Sequence, residues 1–172
     1  HSRSAGALQP HVRASARGTA VKVISVNVAR AEQRRIGGRL VMTAIGKRPV
    51  TGPVAVRLLG LEGDEQADQT VHGGVSKAVY AYSATHYAFW QRVRAQAQVA
   101  LWEDELPPGS MGENLTVEGL DETKLYIGDR LALPGCVLAV SEPRLPCFKF
   151  NAAMGFPHAA KLMTQSAWCG AY

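Results

Sequence analysis

Short runs of alternating apolar and polar residues, separated by Gly and Pro, make up most of the chain, and one stretch changes to helical spacing. VKVISVNVA (Val21 to Ala29) is β-branched throughout, with Val21 and Val23 at period two, and predicts a first strand. Gly37-Gly38 breaks the chain before RLVMTAI, a short second strand. GPVAVRLLG places Val54, Val56 and Leu58 on one face of a third before the chain turns polar and acidic. Ala78 to Tyr82 reads as another strand. In SATHYAFWQRVRAQAQVALWEDEL the residues Tyr87, Trp90, Val93, Ala97 and Leu101 fall at helical spacing behind a possible Ser83 N-cap, so one substantial helix is expected before Pro107-Pro108-Gly109. GENLTVEGL follows as a loop and short strand. Leu131/Leu133 and Cys136/Leu138/Val140 then flank Pro134-Gly135 as the arms of a hairpin do. Many short strands and one long helix predict a mainly β, barrel-like or curved-sheet domain.

Composition narrows this picture. The chain has 172 residues, 47% hydrophobic and 19% charged, which suits a single globular domain. No apolar run reaches the roughly 18 residues of a membrane span. Part of the formal charge of +5 comes from Arg3, Arg13 and Arg17. Residues 1–20 are rich in Ala, Ser, Arg and Gly without periodicity and read as a disordered basic tail or expression remnant, leaving 21–172 as the domain. The tail lacks the interleaved aromatics and module of a specific nucleic-acid binder. Three cysteines without a CxxC pair suggest neither a disulfide framework nor a zinc knuckle, and reduced thiols suit a cytoplasmic protein.

Strand and helix patterning leaves four loops unexplained: TAIGKRPV with Lys47, DQTVHGGVSK from Asp68 to Lys77, GEN (Gly112 to Asn114), and RLPCFKFN from Arg144 to Asn151. Each combines Gly or Pro with a donor or a charge. Taken singly they have ordinary readings: Lys47 as a solvated lysine, Asp68 as a turn cap, His72 as a turn histidine, Asn114 as a residue tolerant of positive φ. Cys136 sits in a strand pattern and reads as core. Cys147 differs, because Pro143 and Pro146 stiffen the backbone around it and Arg144 and Lys149 flank it with charge that favours a thiolate. Such a thiol suits a nucleophile, a soft-metal ligand or a structural cysteine, and the spacing leaves all three open.

DQTVHGGVSKAVYAY, GSMGENLTVEGL, YIGDRLALPG and VSEPRLPCFKFN stand in the order and spacing of the MOSC domain, named after the C-terminal domain of molybdenum-cofactor sulfurases. From Val21 to Tyr172 the chain resembles the stand-alone bacterial YiiM-type members. The resemblance implies a MOSC-type β-barrel-like fold with one substantial helix and short peripheral helices. It also implies that Cys147, of the PRxPC motif, ligates the molybdenum of a bound molybdenum cofactor (molybdopterin). Thiolates suit such a metal, and basic loops suit the cofactor's phosphate and pterin. Arg144 and Lys47 match family positions for those groups; His72, Lys77, Glu113 and Asn114 would line the pocket with Lys149, Asn151 would touch cofactor or backbone, and Asp68 would brace its loop. Similar proteins reduce N-hydroxylated compounds, with His72 the candidate acid and a separate electron-donor protein or reductase as partner. A non-catalytic cofactor or sulfur carrier is the alternative, and a cysteine hydrolase using Cys147 and His72 lacks a nucleophile turn. The family's association with pyridoxal phosphate would fall on Lys77 or Lys149, without supporting spacing. YiiM-type proteins continue into a further helical segment after the position of Tyr172, so a truncated chain and a homodimer contact in the missing part are expectations too.

Overall fold

The computed structural model describes residues 18–68 and 73–172. In chain order the strands are β1 (Gly18–Ala20), β2 (Lys22–Val28), β3 (Glu32–Ile36), β4 (Arg39–Thr43), β5 (Arg48–Val50), β6 (Val56–Arg57), β7 (Gly60–Leu61) and β8 (Ala81–Ser83). Helix α1 (Tyr87–Gln96) follows, then β9 (Leu115–Glu118), β10 (Arg130–Leu133), β11 (Cys136–Ala139), α2 (Phe148–Met154) and α3 (Ala159–Ser166).

Two sheets share one aliphatic core. The first has the order β1-β10-β11 and the second β5-β2-β9-β8; β3-β4 and β6-β7 are separate hairpins. Val21, Val79, Ala81, Leu115, Val117, Leu131 and Val140 pack between them. The expected mainly β class is what forms, but the barrel does not close among the described residues. β5 and β8 end the larger sheet, β1 and β11 end the smaller, and no hydrogen-bonded ladder joins them. Strands of two to seven residues and a bulge between Val23 and Ser25 bend the surface without completing a ring.

The first strand runs almost as predicted, and Leu131↔Leu138 and Leu133↔Cys136 pair across Pro134-Gly135 in the expected hairpin. Four expectations shift. The third strand, read with Val54, Val56 and Leu58 on one face, shrinks to Val56–Arg57 because the chain turns back at Leu58-Leu59 to pair as β7, leaving Leu58 74% exposed. The tail was drawn to Ala20, whereas Gly18–Ala20 pairs in parallel with β10, giving a segment without apolar periodicity a place in the sheet through backbone bonds. α1 stops at Gln96 because Gln98 turns left-handed at φ 59, leaving Leu101, the residue that extended the pattern, 62% exposed. The segment read as the RLPCFKFN loop becomes helical from Phe148. With α3 it is not peripheral: Phe150, Met154, Ala159 and Met163 are buried against Trp90, Tyr80, Tyr82 and Met111 in a second, aromatic core.

Residues 170–172 stitch the two cores together. The Ala81 and Ala171 N–H groups each donate to the other's carbonyl, at 2.9 and 3.1 Å, and Tyr172 N–H donates to the Glu142 carbonyl at 2.9 Å. Gly170 makes this approach possible, since at φ 69 its hydrogen faces the Ala81 carbonyl and the Tyr80 and Tyr82 rings. Gly170→Ala would meet backbone as well as left-handed strain, and should lower unfolding free energy by about 2–4 kcal/mol. A urea melt within about 0.5 kcal/mol of the parent would contradict this packing.

The aromatic core also sets an alkaline limit. Burial pushes the hydroxyls of Tyr80, Tyr82, Tyr87 and Tyr172 above the usual 10.0. The folded chain keeps these protons where the unfolded chain sheds them, so their stabilisation is full below about pH 10 and lost as pH rises further. Lys47 acts in the opposite sense: burial pulls its ammonium below 10.5, a penalty relieved as pH rises to that value. Four phenols outweigh one amine. Stability should fall above about pH 10, with tyrosinate absorbance rising together with unfolding; tyrosinate forming while the melting temperature holds would count against it.

Candidate functional site

The cysteine loop is anchored at both ends. Pro143 bridges to Ala171, Arg144 N–H donates to the Gly170 carbonyl at 3.3 Å, and Cys147 begins α2 with extended backbone, its carbonyl accepting from Phe150 N–H at 2.9 Å. Two prolines and these bonds hold the half-buried thiol at the wall of a cleft. Lys47, Asp64, Lys77, Asn114, Arg144 and Lys149 line the same cleft. Five of the predicted residues around Cys147 therefore meet there, from segments up to about a hundred residues apart in sequence.

Arg144 is 6% exposed. Its guanidinium lies 5.1 Å from the ring centres of both Tyr80 and Phe150, and Nη1 is 3.1 Å from the Met163 sulfur. No carboxylate pairs with it among the described residues. A buried cation facing a cleft under those conditions favours an anionic ligand.

Lys47 has a different environment from the one expected. Its Nζ is 2.5 Å from Asp64 Oδ1, with both side chains under a tenth exposed. Asp64 Oδ1 also accepts from Ala29 N–H at 2.8 Å, and Oδ2 from the Asn114 amide at 2.8 Å. The lysine charge is thus answered within the protein. Asn114 is equally committed: its Oδ1 accepts from Tyr80 N–H at 3.0 Å and its amide reaches the Asn27 carbonyl at 3.3 Å. This Lys47–Asp64–Asn114 group joins three loops to β2 and to Tyr80, just before β8, in one wall.

Lys77 ends a short 3-10 turn, 4.0 Å from Glu142 Oε1. Lys149 Nζ donates to the Met42 carbonyl at 2.8 Å, fastening α2 to β4. Gln66 holds the neighbouring loop: its Oε1 accepts from Gly74 N–H at 2.9 Å while its amide donates to the Leu59 carbonyl at 2.9 Å.

Two expected pocket residues lie elsewhere. Glu113 is fully buried away from the cleft, accepting from Gly109 N–H at 2.9 Å, Met111 N–H at 3.0 Å, the Thr116 hydroxyl at 2.6 Å and the Tyr87 hydroxyl. The left-handed Gly109 and Gly112 wrap the GEN loop around it, so its carboxylate organises the loop from inside. Asn151 points its Oδ1 at Ala160 N–H, 2.8 Å away, and joins α2 to α3. Asp68 is half-buried where the described segment ends; His72 lies outside the described residues. Cys136 is half-buried on β11 and Cys169 half-buried with its thiol on the Met163 carbonyl, so neither joins Cys147.

Sequence reasoning missed Asp64, Gln66, Tyr80 and Tyr172. Asp64 carried a signal, an acid directly after Gly63 at the end of a strand pattern, but only the fold shows that its partner is Lys47.

A MOSC domain model matches residues 68–172, and the chain belongs to that family. Among curated proteins it is 36% identical over 150 residues to the uncharacterized protein YflK of Bacillus subtilis (87% of this chain, 64% of that one). It is 37% identical over 129 residues to protein YiiM of Escherichia coli (74% and 55%), and 34% identical over 149 residues to a protein named Reductase from Gibberella moniliformis (86% and 25%). The crystal structure of YiiM from Geobacillus stearothermophilus superposes with a TM-score of 0.65 at 30% identity, covering 88% of this chain and 66% of that one. The chain thus spans under two thirds of the length of these curated relatives. No helix among the described residues is long and apolar enough to cross a membrane.

Proposed function

We propose that this chain binds the molybdenum cofactor in the Cys147 cleft and acts as an oxidoreductase that removes oxygen from N-hydroxylated compounds. The observation that carries it is the meeting of a proline-braced thiol with a buried, carboxylate-free Arg144 in one cleft. Membership of the MOSC family and a relative named Reductase support the same reading.

The donor set fits the group. Cys147 offers the soft sulfur ligand, Arg144 a guanidinium for an anion, and Lys77 and Lys149 add positive charge at the walls. Lys47 is better read as part of the scaffold, because Asp64 already holds its ammonium. When bound, the cofactor supplies two-electron oxygen-removal chemistry, and the protein contributes binding and orientation. Asn114 and Asp64 keep one wall of the cleft fixed, while Tyr80 and Phe150 shield the guanidinium from water. His72 is the candidate proton donor to the departing oxygen, and His72→Gln should lower turnover about 100-fold without loss of bound molybdenum.

The test is elemental analysis of protein from a cofactor-competent host, followed by hydroxylamine reduction with an artificial electron donor. Molybdenum near one per chain with turnover is expected. Metal without turnover would make the protein a carrier, and no metal from such a host would remove the proposal.

A further inference from the structure

Positive charge is concentrated in one part of the domain. Between residues 30 and 48 the chain carries Arg30, Arg34, Arg35, Arg39, Lys47 and Arg48 against Glu32 alone, while the rest of 18–172 has ten Lys or Arg and thirteen Asp or Glu. The arginines are exposed, and Lys47 is the member turned inward to Asp64. Arg34 is paired with Glu32, but Arg30, Arg39 and Arg48 form no ion pair among the described residues.

The same segment presents apolar side chains outward. On β4, Leu40 and Met42 are 62% and 41% exposed on one face, and Arg35 stands opposite Leu40 on β3. The end of β4 lies at the cleft: the Lys149 ammonium is bonded to the Met42 carbonyl, while Thr43, on the opposite, buried face, lines the cavity with Ala44. From the cysteine loop, Leu145 and Phe148 are 73% and 52% exposed beside Cys147. Outward apolar side chains with Arg35 among them, on an exposed arginine-rich segment beside the Cys147 cleft, have the make-up of a protein-docking surface. The apolar side chains distinguish it from a nucleic-acid track, and the hairpin offers no aromatic platform for bases.

We propose that the exposed face of the β3–β4 hairpin, with Leu145 and Phe148, is the docking surface for an acidic electron-transfer protein. This rests on the oxidoreductase reading. Converting R–NHOH to R–NH2 and water consumes two electrons and two protons per turnover. A reduced one-electron iron–sulfur carrier would dock twice per turnover, becoming oxidised each time, while the protons come from solvent. The complementary charge guides the encounter and the apolar side chains hold it beside the thiol.

The experiment measures binding of the whole chain to an acidic plant-type ferredoxin by calorimetry at low salt. Arg35→Glu/Arg39→Glu should weaken binding by about tenfold or more, as should raising salt to about 0.5 M. Arg92→Glu/Lys161→Glu, with the same change of net charge placed on α1 and α3, should move it less than about twofold. Leu40→Ser/Met42→Ser should weaken binding with the salt dependence kept. Equal weakening by the two charge-reversed proteins, equal affinity for a basic cytochrome c, or no ferredoxin binding would overturn the proposal. So would hairpin-dependent binding of a single-stranded oligonucleotide in place of ferredoxin. Cys147→Ser should bind ferredoxin as the parent does, so failure of metal binding and failure of docking are read separately.

Discussion

Cys147→Ser, purified from a cofactor-competent host, should contain less than about a tenth of the parent's molybdenum and reduce hydroxylamine at least about a thousandfold more slowly. Serine keeps the shape of the loop but offers a hard hydroxyl where the metal prefers a thiolate. The fold should hardly respond. The thiol is half-buried at the cleft wall, and Pro143, Pro146 and the Arg144 and Phe150 N–H bonds hold the loop without it. An unfolding free energy within about 0.5 kcal/mol of the parent is therefore expected. Retained metal with full turnover would exclude Cys147 as the ligand. A large loss of stability would instead make it a structural cysteine.

Asp64→Ala should have the opposite signature, a large effect on stability. It leaves the Lys47 ammonium buried without a partner, deprives Ala29 N–H of its acceptor and takes from the Asn114 amide one of its two acceptors. Breaking a buried pair from one side costs about 3–5 kcal/mol, more than the pair itself contributes when intact. Lys47→Met with Asp64→Asn should recover much of that loss, because the buried charge is removed while an acceptor remains for Ala29. Urea melts of the three proteins decide it. A single replacement costing under about 1 kcal/mol would show that water reaches Lys47 and that the wall of the cleft is not as drawn.

The contrast between these two residues reflects how much of the site can be read in a sequence. Cys147 is legible because its constraints are local: two prolines within four positions stiffen the thiol's backbone, and charged neighbours flank it. Asp64 is not, because its meaning depends on Lys47, seventeen residues away, and on Asn114, fifty away. Glu113 shows the reverse failure. Its place in GEN suggested a pocket residue, but two left-handed glycines turn the carboxylate into the interior, a choice of direction invisible in residue type.

The alternation of Val21 to Ala29, the Pro134-Gly135 hairpin and the helix at Tyr87 come from periods of two and 3.6, which are properties of the local backbone. These patterns, with the four motif loops, are enough to determine a mainly β MOSC domain and to single out Cys147 as its candidate ligand. Where α1 ends, which way Glu113 faces, and whether the strands close into a barrel depend on contacts between distant segments. The tertiary structure also decided the neutralisation of Lys47 and the exposure of an arginine-rich hairpin beside the cleft. Burial and pairing decide what a charge is available to do, and both exist only once the chain has folded.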